Sequence, residues 1–523
     1  MTAKASATRL PRFEAWVIAL VCFGLRAVSL VRSCLSDDEA IYAVVAREML
    51  AGRTLYRDVV DHKPPLVYVV YALTQAVGGP RGGMLLLHLL TIAVVFATAL
   101  ILRCVVREFA GLSADSRAPF WAALLYAVFT TTLLPFDALA ANCELFMMLP
   151  LSASVLFFLR GARSLRLRPL LAAGGLVGIA ALFKYQAGVQ LALYAASLTA
   201  AHWRRMPRVL LAIAAIGVGV AAALGVVLAV MQSAGSLDAA WFWFRFNFGY
   251  IKTGFDAMDT LKRAAIRISF VVCAAAFLWV LAAAAALKSG KPTAPRNGAG
   301  FVRFAALWAL VSALAITTGG RFFGHYFHQI TAPLAVLAAP VAAQLWRTRR
   351  HLVAAAVGLP AAAFLLLGIF QTPVFAAAGE PAPDYQRMVD LVNAHARPGD
   401  GLLVWGNLPV LYFVAERPLG TRFVFSNYMT GLSPATPSQS DPSVDASPNI
   451  VPASWAMFEA DVAERRPRVV VDTSPGNVAA YGKFPPSNFP RLQALLDHDY
   501  RPVGETAGVR VFVRQDSNKV VQP

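Results

Sequence analysis

The chain has 523 residues, of which 58% are hydrophobic and 15% are charged, and its mean hydropathy is +0.57. A soluble globular protein is typically about 45–50% apolar and about 25% charged, so the composition excludes a purely soluble enzyme. Lys and Arg together number 47 and exceed the 29 acidic residues by 18. In a soluble chain this excess would suggest a nucleic-acid partner. The apolar excess makes membrane topology the better explanation, and we expect no nucleic-acid partner.

Apolar runs of about 17–25 residues can cross a bilayer as helices. Eleven such spans are predicted, at 14–33, 84–104, 118–136, 144–160, 168–184, 186–202, 208–232, 264–287, 301–319, 327–346 and 351–373. A twelfth apolar piece, 65–79, is shorter, follows a proline and ends at Gly78-Gly79-Pro80. We interpret it as a juxtamembrane or re-entrant helix. The predicted fold class is therefore a polytopic all-α membrane protein with about eleven transmembrane helices.

The basic residues indicate the orientation of these spans. With 65–79 not counted as a span, alternate connecting segments carry twenty basic residues against two acids, at 1–13, 103–117, 160–168, 202–208, 288–303 and 347–350. Because cytoplasmic loops are enriched in Lys and Arg, these segments are predicted to be cytoplasmic. The N-terminus is then cytoplasmic and the C-terminus extracytoplasmic, as in a multi-pass membrane protein.

Two long external loops and an external domain follow from this topology. The loops are 34–83 and 233–263, and the aromatic-rich part of the second loop is expected to contact membrane lipids. We divide the chain into a membrane domain, 1–375, and an external domain, 380–523, whose 13 basic and 15 acidic residues nearly balance. Its patterns predict a small α/β layer, with helices at 384–396 and 490–497, strands at 401–405, 468–472 and 508–514, and an irregular segment at 433–453.

Three adjacent acids, Asp37, Asp38 and Glu39, follow the first span and begin a stretch with apolar residues at helical spacing. This spacing predicts an amphipathic helix on the membrane surface, which forms a first-loop pair with 65–79. Crowded carboxylates should raise the pKa of at least one member, and a carboxylate there could act as a general base. The alternative is structural, since Ser36 or Asp37 could cap the helix and acids favour a first turn.

The same loop ends with His62, Lys63 and two prolines. The prolines stiffen the backbone and hold Lys63 beside the membrane, where its ammonium group could meet a phosphate. The alternative is that Lys63 has no binding role and only extends its charged end to the membrane–water interface.

A second cationic group, Arg321, His325 and Tyr326, lies just before a predicted span. Its side chains are suitable donors for an anion. The alternative is ordinary anchoring of the chain at the interface by Arg and Tyr.

Two further ionisable residues are predicted at membrane depth. Glu144 lies at the start of a span, and Lys184 lies at the break between two spans. Charges at such depths are costly and are more often functional than incidental. The alternative is that they only pair with other buried groups.

The segment 37–68, DDEAIYAVVAREMLAGRTLYRDVVDHKPPLVY, resembles the first-loop signature of the GT-C glycosyltransferases. The resemblance is to the bacterial relatives of dolichyl-phosphate-mannose protein mannosyltransferases and of the lipid A aminoarabinose transferase. Those proteins have an Asp-Glu pair after the first span and a Lys-Pro-Pro or His-Pro-Pro turn later in the loop. The segments 142–144 and 321–326 and the region of Lys184 are similar to later family positions, so the resemblance covers about residues 14–350.

The resemblance implies transfer of a sugar from a polyprenyl-phosphate donor to an extracytoplasmic acceptor, with inversion at the anomeric carbon. It implies that Asp38 is the general base, although Asp37 could take that role instead. The remaining implied residues bind the donor phosphate or shape the sugar and acceptor sites, and these are Glu39, His62, Lys63, Glu144, Lys184, Arg321, His325 and Tyr326. No cofactor is assigned. A divalent cation could lie near Asp38, Glu39 or Glu144, but the sequence offers no dedicated ligand spacing.

Two other classes of protein stay open at this stage. One is a transporter or flippase for a lipid or sugar, and the other is a non-catalytic assembly protein whose external domain binds an envelope partner. Transporters usually show inverted repeats and interrupted midplane helices, whereas here the charges cluster at one face and no repeat is visible. The sequence also leaves open which sugar is transferred, and whether the acceptor is a protein, lipid A, another glycan or a cell-wall polymer.

Overall fold

The computed structural model describes residues 12–31, 34–113, 115–133, 137–253, 256–289, 296–371 and 383–515. The first part of the chain is helical. Its helices are α1 (Arg12–Arg26), α2 (Asp37–Leu50), α3 (Leu66–Phe109), α4 (Ala118–Thr132), α5 (Cys143–Ala162), α6 (Leu167–Ala181), α7 (Gln190–His202), α8 (Met206–Ser233), α9 (Leu237–Thr253), α10 (Ala257–Ala274), α11 (Ala276–Ser289), α12 (Arg296–Thr317) and α13 (His328–Gln371). The predicted boundary between the two domains, 375–380, lies outside the described residues.

Within these ranges, six helical stretches are long and apolar enough to cross a membrane, or seven if one bent pair is a single span. Three of them are 44, 49 and 44 residues long, which at about 1.5 Å per residue is roughly twice the thickness of a bilayer core. Each contains a break where the sequence predicts a turn. The breaks fall at Gly79, at Trp203–Arg205 and at Arg349. Together with the shorter apolar helices α4 and α6, helices therefore occupy all eleven predicted spans.

The break at Gly79 separates the predicted juxtamembrane piece from the span that follows it. Gly79 has φ +68°, a left-handed conformation that glycine adopts at little cost, and Pro80 follows it. The piece before the break pairs with α2, which Ser36 caps by accepting a hydrogen bond from the Glu39 amide at 3.2 Å. The first-loop helix pair is thus present.

The predicted span 264–287 is helical but not straight. Helices α10 and α11 meet at Ala275 with a bend of 87°. The first of them carries Lys262, Arg263 and Arg267, whereas the second is apolar until its last turn. The basic residues of α10 favour a polar surface, whereas the apolar α11 favours the membrane or the protein core. The two helices therefore run in different directions from Ala275.

The C-terminal part contains a four-stranded sheet with the order β1-β2-β4-β3. Strands β1 and β2 are parallel, and the other two pairs are antiparallel. The strands are β1 (Leu402–Trp405), β2 (Val469–Asp472), β3 (Tyr500–Thr506) and β4 (Val509–Arg514), and the helices are α14 (Pro383–Asn393), α15 (Pro409–Ala415), α16 (Asn427–Thr430), α17 (Pro437–Ser440), α18 (Ser454–Arg465) and α19 (Pro490–Asp499). The sheet and its helices confirm the predicted small α/β layer.

Several elements of this layer were not predicted, among them strand β3 and helix α18. Strand β3 contains Pro502 and Gly504, with a bulge between them, and both residue types weaken a strand signal. Helix α18 was also missed, although its apolar residues Phe458 and Val462 are buried at helical spacing.

The C-terminal layer is held against the first loop by backbone and side-chain contacts. The Val60 amide donates to the Arg422 carbonyl at 2.8 Å. The guanidinium of Arg47 donates to the Arg417 carbonyl at 2.6 Å, and that of Arg465 donates to the Asp58 carbonyl at 2.7 Å. These contacts place the segment 407–452 over the end of the helical part.

Candidate active site

A cavity of about 940 Å³ lies between the helical part and the C-terminal layer, within the size range of ligand pockets. We call its helical side the charged wall. The acids of this wall are Asp37, Asp38, Asp61 and Asp137, and its basic residues are His62, Lys63, Lys184, Arg267 and His325. We call the cavity-lining residues of 407–452 the neutral wall, because none of them carries a formal charge.

Asp38 and Lys63 form the central ion pair of the charged wall. The Lys63 Nζ atom lies 2.9 Å from Asp38 Oδ1 and 2.5 Å from the Tyr42 hydroxyl oxygen. Burial alone would lower the pKa of the Lys63 ammonium, but Asp38 and the other nearby acids raise it above the ordinary value. The ammonium group therefore stays charged, and the capped start of α2 and the proline turn hold it beside the carboxylate.

Asp61 supports the turn that presents His62 and Lys63. Its carboxylate accepts hydrogen bonds from the His62 amide and the Tyr68 hydroxyl, both at 2.7 Å, and lies 3.0 Å from the His62 ring. The Tyr56 hydroxyl donates to the Lys63 carbonyl at 2.6 Å. Burial would raise the pKa of Asp61, but His62 and Lys63 lower it below the ordinary value, so Asp61 is an anion that fixes the turn.

His325 lies among three carboxylates. Its Nδ1 atom is 2.5 Å from Asp137 Oδ1, and its backbone amide donates to Asp137 Oδ2 at 3.1 Å. On the other side of the ring, Nε2 is 3.6 Å from Glu144 and 4.0 Å from Asp38. Burial would raise the pKa of Asp137, but His325 lowers it. The imidazole thus links the Asp38 side of the cavity to the Glu144 side.

Glu144 and Lys184 form a buried ion pair at the inner end of this network. Glu144 is 1% exposed, and the Lys184 ammonium lies against its carboxylate. The same ammonium lies 3.6 Å from the centroid of the Tyr326 ring, within the range of a cation–π contact. Lys184 and Tyr326 line the cavity, whereas the carboxylate of Glu144 lies behind them.

Glu39 and Arg321 do not line the cavity. Glu39 is fully buried, accepts hydrogen bonds from the Ala141 and Leu35 amides at 2.5 and 2.6 Å, and contacts His88 at 3.1 Å. Arg321 donates to Ser433 Oγ at 2.9 Å and to the Pro434 carbonyl. Glu39 therefore holds the loop before α5, and Arg321 holds the neutral wall.

Sequence reasoning missed three groups that the structure brings to this region. Asp137 and Arg267 line the cavity. Arg26, fully buried in α1, donates to the Ala138 and Leu139 carbonyls at 3.1 and 2.6 Å. A signal existed for Arg26, because a lone arginine inside an apolar span is costly. For Asp137, the signal was an acid between two predicted spans, seven residues before Glu144.

A metal site does not emerge from the geometry. Across the described residues, no group of three or more His, Cys, Asp or Glu side chains is arranged to hold a metal ion. Asp38 is already paired with Lys63 at 2.9 Å, so a cation at that carboxylate would have to displace an ammonium group.

Comparisons with known proteins give a structural likeness. No family model and no curated protein matches the sequence. The crystal structure of ArnT from Cupriavidus metallidurans bound to undecaprenyl phosphate superposes with a TM-score of 0.61 and 15% identity, over 98% of this chain and 99% of that one. Oligosaccharyltransferase AglB from Archaeoglobus fulgidus, in complex with an inhibitory peptide and a dolichol-phosphate, superposes with a TM-score of 0.51 and 14% identity, over 98% and 74%.

At these identities the likeness is one of fold. The chain has the GT-C fold, with multiple membrane helices and a small C-terminal α/β layer, as the first-loop resemblance implied. What the site does has to be argued from its residues, because a fold does not fix a function.

Proposed function

We propose that the chain is an integral membrane glycosyltransferase that moves a sugar from a polyprenyl-phosphate donor to an extracytoplasmic acceptor. The observation that carries this proposal is the Asp38–Lys63 pair, with its 2.9 Å contact, in a cavity of about 940 Å³. Two proteins of the same fold, ArnT and AglB, have solved structures in complex with undecaprenyl phosphate and dolichol-phosphate, respectively. Both the fold and the charges of the site therefore suit a lipid phosphate.

Lys63 binds the donor phosphate in this proposal, together with Arg267 and Lys184 from the same wall. Fixed cations stabilise the charge that a departing phosphate gains in the transition state. An incoming phosphate also competes with Asp38 for the Lys63 ammonium. Once Lys63 has turned to the phosphate, the Asp38 carboxylate is released to accept a proton.

Asp38 acts as the general base. The acceptor hydroxyl gives its proton to Asp38, its oxygen bonds to the anomeric carbon, and the bond from that carbon to the phosphate oxygen breaks. The bonding pair leaves with the polyprenyl phosphate. A single displacement of this kind inverts the anomeric carbon, and a nearby carboxylate also favours an oxocarbenium-like transition state.

The remaining predicted residues take supporting roles. Asp37 and His62 line the cavity beside the ion pair and contact the sugar, and His325 and Tyr326 line the same wall, with His325 Nε2 4.0 Å from Asp38. Glu144, which is paired with Lys184, holds this part of the wall in place. Glu39 and Arg321 act through the backbone segments that they bind, and so are positioning residues.

Membrane placement is part of the proposal. The basic segments put the N-terminus in the cytoplasm and the C-terminal layer in the periplasm of a bacterial inner membrane, so that the cavity opens outward. A donor that is already linked to a lipid can then react without a nucleotide sugar.

The test replaces Asp38 with Asn and measures transfer from a panel of polyprenyl-phosphate-linked radiolabelled hexoses and pentoses in proteoliposomes with envelope acceptors. Loss of a general base typically costs about 10²- to 10⁴-fold, and we expect a loss in this range. Asp384→Asn is the matched control, because Asp384 is 68% exposed and does not line the cavity. Unchanged transfer by the Asp38 variant contradicts the assignment of the base. Movement of intact donor across the membrane without cleavage supports a flippase instead.

A further inference from the structure

The two walls of the cavity differ in charge, and this difference bears on the acceptor. Nine Asp, His, Lys and Arg side chains line the cavity, and all nine belong to the helical part. The lining residues from 407 to 452 include no Asp, Glu, His, Lys or Arg. A charged ligand group placed against the neutral wall would lose its hydration without gaining a partner of opposite charge, which is unfavourable.

The neutral wall is instead rich in side-chain amides. Asn407, Asn427, Gln439 and Asn449 all line the cavity. Two of these amides are held by their oxygen atoms: Asn427 Oδ1 accepts from the Tyr481 hydroxyl at 3.0 Å, and Gln439 Oε1 accepts from the Ala435 amide at 2.8 Å. Their nitrogen atoms keep two N–H donors each. Donors fixed in this way match the hydroxyl and ring oxygens of a sugar.

Aromatic rings complete the neutral wall. The rings of Phe425 and Tyr428 stack with centroids 5.1 Å apart, and Tyr428 packs against Trp243 at 4.9 Å and Phe246 at 5.5 Å. These contacts fix an apolar surface beside the amides. Amide groups next to a rigid aromatic surface suit a ligand with hydroxyls on its edges and C–H groups on its faces.

We propose that the acceptor is an uncharged carbohydrate, held by the amides and aromatic rings of the neutral wall. This proposal rests on the proposed glycosyltransferase function and names its acceptor class. The donor phosphate occupies the charged wall, and the acceptor sugar presents its hydroxyl to Asp38 from the neutral wall. The lack of charged groups in this wall argues against a phosphorylated lipid or an acidic glycan as the acceptor, and label on protein would reveal a peptide acceptor instead.

The experiment separates the glycans of the cell envelope by anion exchange into neutral and acidic pools. Each pool, and separately the lipid and protein fractions, is incubated with reconstituted protein and the panel of radiolabelled polyprenyl-phosphate sugars. We expect label to enter the neutral glycan pool. Label that enters only acidic glycans, lipid or protein overturns the acceptor proposal while the proposed function stands. If none of the donors is consumed with any of the fractions, the proposed function itself fails.

Variants of the neutral wall give a second readout. Asn407→Ala and Asn449→Ala each remove an amide, and we expect each to raise the KM for the neutral glycan about 3- to 10-fold, the effect of one neutral hydrogen bond. The KM for the donor should stay unchanged. Asn488→Ala is the matched control, since Asn488 belongs to the same layer but does not line the cavity. A change in the donor KM with an unchanged acceptor KM would overturn the assignment of this wall.

Discussion

The charged wall and the neutral wall of the cavity are built in different ways. In the charged wall the side chains hold each other: Lys63 binds Asp38, and His325 bridges Asp137 and Glu144. In the neutral wall the amides are held by hydrogen bonds within irregular segments and short helices. Reactive groups are thus fixed by helix ends and ion pairs, while the groups that we assign to acceptor recognition lie on loops, where sequence can change with less cost to the fold.

The largest expected effect comes from breaking the buried pair behind the charged wall. Glu144→Gln leaves the Lys184 ammonium buried without its anion, and loss of one partner of a buried pair typically costs about 3–5 kcal/mol. We expect a loss of this size in the free energy of unfolding, measured by chemical denaturation in detergent. The double variant Glu144→Gln/Lys184→Met should recover much of it. Equal losses in the single and double variants would contradict the view that the unpaired charge is the cause.

The second expected effect is on the reaction rate. Lys63→Met removes the cation nearest to Asp38, and loss of one group that stabilises transition-state charge typically costs about 10²- to 10³-fold. We expect kcat to fall by this factor in the transfer assay, with partial activity in Lys63→Arg. Lys483→Met is the matched control, because Lys483 donates to the Val444 carbonyl and does not line the cavity. If Lys63→Met behaves like this control, Lys63 does not serve the leaving group.

The fold was predictable because its signals are local and strong. Apolar runs of span length are few in soluble proteins, and helices occupy all eleven predicted spans. One of these spans, 264–287, is bent at Ala275, and the bend depends on which surface each half meets. Strand β3 was missed for a related reason, because pairing with β4 outweighs the local effect of Pro502 and Gly504.

The site was predictable only in part. The residue types and their order indicated Asp38 and Lys63 as candidates, but their contact joins the two ends of the first loop and depends on how that loop folds. The position of Glu39 behind the cavity could not be foreseen either, since its partners include Ala141, over one hundred residues away. For the neutral wall, the sequence indicated only an irregular segment, 433–453, rich in Ser, Pro and Asp, and gave no sign of a binding surface.

A smaller effect is expected where the charged wall meets His325. Asp137→Asn keeps the shape of the side chain but removes the charge that orients the imidazole, which contacts Asp137 Oδ1 at 2.5 Å. Because His325 touches both ends of the network, we expect kcat to fall about 10-fold through misplacement of the ring. The KM for the acceptor should not change. A rise in acceptor KM at constant kcat would instead place Asp137 in acceptor binding and would weaken the distinction between the two walls.

The smallest effect is expected for Asp37, and it separates the two adjacent acids. Burial first, and the neighbouring Asp38 second, raise the pKa of Asp37 above its ordinary value, which is about 3.9 in an unfolded chain. A carboxyl group whose pKa is raised by folding destabilises the fold when ionised; this cost shrinks as the pH falls below the raised pKa and is gone at the pKa of the unfolded chain. Asp37→Asn should therefore raise the melting temperature at pH 7, with the gain vanishing near pH 4, about the ordinary pKa of the group. Transfer activity should fall far less than in Asp38→Asn, because only a contact to the sugar is weakened while Asp38 keeps its contact with Lys63. If Asp37→Asn instead loses as much activity as Asp38→Asn, the base is Asp37 or is shared by the pair, and the charged wall has two reactive acids in place of one.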